Sequence, residues 1–163
     1  MYAFVTVGTT RFDALVRLST SPAFLTALSK TGFTTLEIQH GHSPLPPLPP
    51  NPPLQITTTA FKPSLAKSMS TASLIISHGG SGSILEALDR ATPLIVVVNP
   101  DLQDDHQSEL ARALQESGVL VWARDVGDVV GLIEERAWEG LKPFGKADRS
   151  GFVKVVEELV GFR

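Results

Sequence analysis

Leu94-Ile95-Val96-Val97-Val98 is a strand with no polar face. Successive side chains of a strand point to opposite sides, so a run that is apolar throughout must be covered on both. A parallel sheet meets that demand, because its crossovers are long enough to lay helices above and below it. The rest of the chain supplies the strands and the crossovers. Phe4-Val5-Thr6-Val7 reads as a buried strand ending at Gly8. Thr34 to Gln39 alternates and is β-rich, Leu54 to Thr58 is a weaker strand, and Leu74-Ile75-Ile76 and Val119 to Trp122 complete the set.

Helical patterns fall between these strands. Two follow the first strand; Ser21 can cap the second, Pro22 suits its first position, and Gly32 ends it. Its apolar residues Phe24, Leu25 and Leu28 share one face. Pro63 is read as starting a short helix through Leu65 and Met69. Further helices are read over Ser83 to Arg90, Gln103 to Ser117, Val126 to Glu135 and roughly Ser150 to Val160. The expected fold is α/β: a single Rossmann-like domain over residues 1–163, with a mostly parallel sheet and helices on both faces. A chain of 163 residues fits one such domain around one core.

Composition narrows the function. A net charge of −3 offers no electrostatic footprint for nucleic acid. With no cysteine, disulfides and zinc–thiolate sites are excluded. Leu94 to Val98 is too short to cross a bilayer, and Met1 to Val7 lacks the basic and long apolar parts of a secretory leader. The expectation is a soluble intracellular protein that would need a partner for any membrane role. Residues 43–53 hold Pro44, Pro46, Pro47, Pro49, Pro50, Pro52 and Pro53. They favour an extended, polyproline-like loop, read either as a stiff surface connection or as a ligand for a proline-recognising domain.

Ligands of such folds bind at the carboxyl ends of the strands. Ile76-Ser77-His78-Gly79-Gly80-Ser81-Gly82-Ser83-Ile84-Leu85-Glu86 is a glycine-rich turn from a buried strand into a helix. Glycines let the backbone approach an anion, and the unpaired N–H groups of the helix start point at it. Glu86 could hold a ribose hydroxyl pair; equally, Ser83-Ile84-Leu85-Glu86 has the spacing of a capping box. Gly8-Thr9-Thr10, Phe61-Lys62-Pro63 and Asn99 through Gln107 would lie at the same end of the sheet. Thr9 and Thr10 could instead cap the next helix. His78 could be structural or titrating. Asp104, Asp105, His106 and Gln107 could be a solvated first turn, or could suggest a metal site of unspecific spacing.

At these residues the chain resembles a known family. Phe4 to Thr10, Ile76 to Glu86 and Pro93 to Gln107, with Leu141-Lys142-Pro143-Phe144, are similar to the small catalytic subunits of two-subunit UDP-N-acetylglucosamine transferases of dolichol-linked oligosaccharide synthesis. Those subunits in turn resemble the C-terminal, donor-binding half of the bacterial enzyme that adds N-acetylglucosamine to the lipid precursor of peptidoglycan (glycosyltransferase family 28, GT-B). The proline-rich loop lies outside the family pattern.

The resemblance implies transfer of N-acetylglucosamine from its UDP donor to N-acetylglucosaminyl-diphosphodolichol at the cytosolic face of the endoplasmic reticulum. Inversion at the anomeric carbon, no metal and no cofactor are expected. A membrane-anchored partner subunit would supply the acceptor side, and the segment 141–163 is a candidate dock for it. By the same resemblance Gly8, Thr9, Thr10, Gly79, Gly80, Ser81, Gly82 and Ser83 would face the diphosphate. Glu86 would bind ribose, Phe61 and Lys62 would meet uracil, and His106 and Gln107, with Asp105 beside them, would meet the sugar. His78 and His106 are candidates for a general base, which the partner could equally provide. The alternative reading is a non-catalytic nucleotide-sugar-binding or adaptor module. An oxidoreductase is disfavoured, because the turn after the first strand lacks Gly-x-Gly-x-x-Gly.

Overall fold

The computed structural model describes residues 1–99 and 105–145, with only the backbone of Asp105 and His106. Its strands are β1 (Tyr2–Thr6), β2 (Thr35–Gln39), β3 (Gln55–Thr59), β4 (Leu74–His78), β5 (Leu94–Val97) and β6 (Val121–Ala123). The helices are α1 (Asp13–Ser19), α2 (Pro22–Lys30), α3 (Ala66–Thr71), α4 (Ser81–Asp89), α5 (Asp105–Ser117) and α6 (Asp128–Glu134). All pairings are parallel, in the order β3-β2-β1-β4-β5-β6. The α/β, Rossmann-like expectation therefore holds.

The doubly apolar strand is buried on both sides as its sequence requires. Ile95 and Val97 pack into one cluster with β1, α1, α2 and α6 residues, including Val5, Leu15, Leu25 and Ile133. Leu94 and Val96 pack into the other, with Ile84, Leu88, Leu110 and Leu114 of α4 and α5. All four β5 residues are fully buried, each such side chain contributing roughly 1.5–3 kcal/mol relative to exposure.

Several boundaries differ from the sequence reading, each for a local reason. α3 starts at Ala66 rather than Pro63, with the Ser64 hydroxyl accepting from the Ala66 N–H. α4 starts at Ser81, with Gly80 as its N-cap, two residues before the expected Ser83. β6 starts at Val121 rather than Val119. The Val119 N–H is already spent on the Leu114 carbonyl at 3.3 Å, part of the α5 ending through Gly118 in left-handed conformation. Ser21 caps α2 as expected, accepting from the Phe24 N–H. The expected helix over Ser150 to Val160, and the dock over 141–163 past residue 145, lie outside the described residues.

The β2–β3 crossover carries no helix. Prolines lack the N–H that a helix needs and push each preceding residue into extended backbone. The connection is consequently a strap, rooted by buried Ser43 at one end and buried Leu54 at the other.

Candidate donor site

The strand order reverses between β1 and β4, and crevices outside the carboxyl ends of strands at such a reversal are where open α/β sheets bind ligands. The turns that follow these two strands meet on one imidazole. A Cβ placed on Gly8 would lie 2.7 Å from His78 Cε1, and one on Gly80 would lie 2.5 Å from His78 Nε2. Only glycine admits the ring at both positions. His78 ends β4, is 6% exposed, and has Nδ1 3.4 Å from the Thr6 carbonyl oxygen. Burial pushes its pKa below the usual histidine value, against the Thr6 carbonyl.

The β1 turn is held from inside. Gly8 stands at φ +62°. Its N–H donates to Gln39 Oε1 at 2.9 Å and lies 3.1 Å from Thr6 Oγ1. Gln39 Nε2 donates to the carbonyls of Gly8 and Ala60 at 2.7 and 2.6 Å. The Thr10 N–H and hydroxyl both donate to the Val7 carbonyl. Neither Thr9 nor Thr10 caps α1, whose N-cap is Phe12 with no side-chain bond. Among the described residues, the Thr9 N–H has no acceptor.

The β4 turn is held differently. The Gly80 N–H folds back onto the His78 carbonyl at 2.6 Å, and α4 begins at once. No side chain caps it. The N–H groups of Ser81, Gly82 and Ser83 have no acceptor among the described residues, and Ser81 and Gly82 are exposed. The capping-box reading of Glu86 is corrected: the helix starts too early for it, and Glu86 pairs with Arg90 at 2.9 Å instead. Glu86 thus reaches toward the next turn of α4 rather than back to its start.

A cavity of about 350 Å³ lies beside these turns, lined by Gly8, Thr9, Gln39, Phe61, Lys62, Pro63, Ser64, Leu65 and Glu86. It unites three of the segments singled out in the sequence. Phe61 is 49% exposed and meets His42 edge to face at 4.9 Å. The Lys62 ammonium is committed inward. It pairs with Glu37 and donates to Ser68 Oγ at 2.9 Å, while the Tyr2 hydroxyl donates to Glu37 Oε2 at 2.5 Å. Burial alone would raise the Glu37 pKa, but Lys62, Tyr2 and Ser68 outweigh it and hold the carboxyl below its usual range. The same burial, with Glu37 beside it, pushes the Tyr2 phenol up.

Gly79 packs against Val98 and Gln107; a Cβ there would stand 3.1 Å from Gln107 Oε1. That oxygen is buried and accepts no hydrogen bond among the described residues. Asp105 and His106 lie in the first turn of α5, and their side chains fall outside the described residues, as do residues 100–104. Among the described residues no cluster of three His, Asp or Glu side chains is placed to hold a metal ion. A larger cavity of about 450 Å³, lined by Leu88, Pro93, Val119, Trp138 and Phe144 among others, lies at the opposite end of the strands. Polar residues that the sequence reading passed over, Gln39 and Glu37, organise the site. Their signal was present: polar side chains alternating through a strand that is buried on both faces.

Sheet order, switch-point turns and an uncapped helix start define a Rossmann-like α/β domain. Comparison with known proteins goes one step further. Residues 2–159 match the glycosyltransferase family 28 C-terminal domain, and the chain belongs to that family. The human protein named UDP-N-acetylglucosamine transferase subunit ALG13 is 38% identical over 120 residues, which is 73% of this chain and 11% of the human protein. The chain thus spans about a tenth of its mammalian relatives' length. An NMR solution structure of ALG13 matches with a TM-score of 0.73 at 28% identity, over 98% of this chain and 97% of that one. Crystalline Acinetobacter baumannii MurG shares the fold, with a TM-score of 0.62 at 23% identity, over 83% of this chain and 40% of MurG. Among the described residues no helix is long and apolar enough to cross a membrane.

Proposed function

We propose that this chain is the donor-binding subunit of an N-acetylglucosaminyltransferase that carries the sugar from UDP to N-acetylglucosaminyl-diphosphodolichol. The observation that carries this reading is the start of α4: three N–H groups without an acceptor among the described residues, at the strand-order reversal, next to a cavity walled by Phe61 and Glu86. In this reading the diphosphate sits on the Ser81, Gly82 and Ser83 N–H groups and the helix dipole, with the Thr9 N–H and hydroxyl on its other side. Glu86 accepts from the ribose hydroxyls, and Phe61 covers uracil. The Gln107 oxygen beside Gly79 accepts from a sugar hydroxyl, which would give a buried acceptor the partner it lacks among the described residues.

Departure of UDP builds negative charge on the diphosphate, and donors already aimed there need no reorganisation as it develops. The acceptor hydroxyl attacks from the far side of the sugar, so the anomeric configuration inverts. His78 is wedged between Gly8 and Gly80, and its part is to hold the two turns. The proton of the acceptor then falls to His106 or to the partner. Lys62 forms the cavity wall through its stem, since its ammonium is held by Glu37. A membrane-anchored partner subunit supplies the acceptor side and brings this chain to the cytosolic face of the endoplasmic reticulum. The relatives' designation as a subunit supports that division.

Calorimetry with UDP-N-acetylglucosamine, UDP-glucose and NAD tests the donor site. The N-acetylglucosamine donor should bind best and Glu86→Ala should weaken it; equal binding of all three, or none, would overturn the reading. Transfer to a lipid-linked acceptor should need the co-expressed partner. Robust transfer by the purified chain alone would sink the split-enzyme part, and binding without transfer by the pair would favour an adaptor.

A further inference from the structure

The strap between β2 and β3 plays no part in the donor site. Pro44 to Pro49 run with no turn or bend, and no strand pairs with them. Their exposure repeats every third residue. Pro44, Pro47, Pro50 and Pro53 are exposed, whereas Pro46, Pro49 and Pro52 are half-buried. Three residues per turn is the period of the polyproline II helix, so one edge of the strap lies on the protein and another faces solvent. Leu45 packs onto the main core, while Leu48, one turn on, is 38% exposed.

Both ends are pinned. The Ser43 hydroxyl accepts from the Phe12 N–H at 2.7 Å, and the Ser43 carbonyl oxygen lies 2.9 Å from His40 Nδ1. Leu54, at the other end, is buried. Most of the ordering entropy that a free proline-rich peptide would lose on binding has therefore already been spent in folding. No Asp, Glu, Lys or Arg occurs between Glu37 and Lys62. A groove that anchors its ligand through a cation would find none here. An uncharged aromatic groove, which grips consecutive prolines by their ring faces, would find Pro46-Pro47-Leu48-Pro49 already free of turn and bend, with Pro50 exposed at the bend that follows.

We propose that this strap is a docking site for a WW-type proline-recognising domain on another protein. Pro47 and Pro50 would enter the aromatic slots, and Leu48 would pack beside them. The test titrates an isolated WW domain of the class that takes Pro-Pro-Leu-Pro ligands into the isotope-labelled full chain, with an isolated SH3 domain in parallel. Saturable binding of the WW domain is expected, with shifts confined to residues 43–54. Pro47→Ala and Leu48→Ala should each weaken it about tenfold while the unfolding temperature and UDP-N-acetylglucosamine affinity stay at the parent values. No WW binding at about 1 mM, shifts centred elsewhere, tighter binding of the SH3 domain, or variants that bind as the parent does would each overturn the proposal. The shift map on the parent chain decides the matter even if a variant folds poorly.

Discussion

The turns after β1 and β4 are both glycine-bearing and both close on the His78 ring, yet they use their backbone N–H groups in opposite ways. At the β1 turn the N–H groups of Gly8 and Thr10 are consumed by Gln39, Thr6 and Val7. At the β4 turn the chain folds straight into α4, and the next three N–H groups keep no protein acceptor among the described residues. The first turn is a keystone and the second is an open cradle. The two glycine turns thus offer a ligand unequal numbers of donors: three successive N–H groups at the β4 turn, and only that of Thr9 at the β1 turn. What separates them is whether a neighbouring side chain, here Gln39, reaches the backbone first.

The largest effect should come from the keystone. Gly8→Ala sets a methyl group 2.7 Å from a buried ring at a left-handed backbone position, and should cost about 2–4 kcal/mol in urea unfolding. A loss under about 1 kcal/mol would mean that the turn repacks freely and is no keystone. At the cradle side, Glu86→Ala should act on binding instead. Loss of charge-assisted bonds to ribose predicts donor affinity lower by about tenfold to a hundredfold in calorimetry. The broken pair with Arg90 should cost only about 0.3–0.5 kcal/mol of stability.

Glu37→Gln probes the support beneath the cavity wall. It leaves acceptors for Tyr2 and Ser68 but strips Lys62 of its countercharge, and about 1–3 kcal/mol should be lost. The sign with pH follows from the depressed Glu37 carboxyl. Its contribution is complete above the ordinary glutamate value near 4.3 and is lost as pH falls through its lower folded value. Denaturation curves of parent and variant should therefore converge in acid.

Gly82→Ala distinguishes a cradle from an ordinary helix start. Among the described residues nothing lies within 4 Å of the added methyl, so stability should rise by about 0.5–1 kcal/mol. A diphosphate drawn onto that backbone would meet the methyl, so donor affinity should fall; a rise in both would move the anion elsewhere. The smallest effect should be the His78 titration. Its folded pKa is depressed, so stability is full above the unfolded value near 6.5 and declines as pH falls through the folded one. His78→Gln should flatten that part of the profile.

Much of the architecture was legible in the chain. A strand apolar on both faces, Leu94 to Val97, can only be central in a covered sheet, and alternating strands and helices leave few other topologies. The run from His78 to Glu86 marked its own turn, because glycines between a strand and a helix have few other uses. The boundaries were less legible. Whether α4 starts at Ser81 or Ser83 depends on the Gly80 N–H folding back on His78; that shift of half a turn removes the capping box, and Glu86 stands in the cavity wall instead.

By itself, then, the sequence determined the parallel sheet, the glycine turns and the absence of a helix in the proline strap. Each follows from local chemistry: side-chain alternation, missing Cβ atoms, missing N–H groups. Only the tertiary structure decided that Gln39 seals the β1 turn, that Glu37 takes the Lys62 ammonium away from the cavity, and that one imidazole fits between Gly8 and Gly80. Apart from the short step from His78 to Gly80, those contacts join residues more than twenty positions apart, and no local preference specifies which distant polar group reaches a backbone N–H before a ligand can.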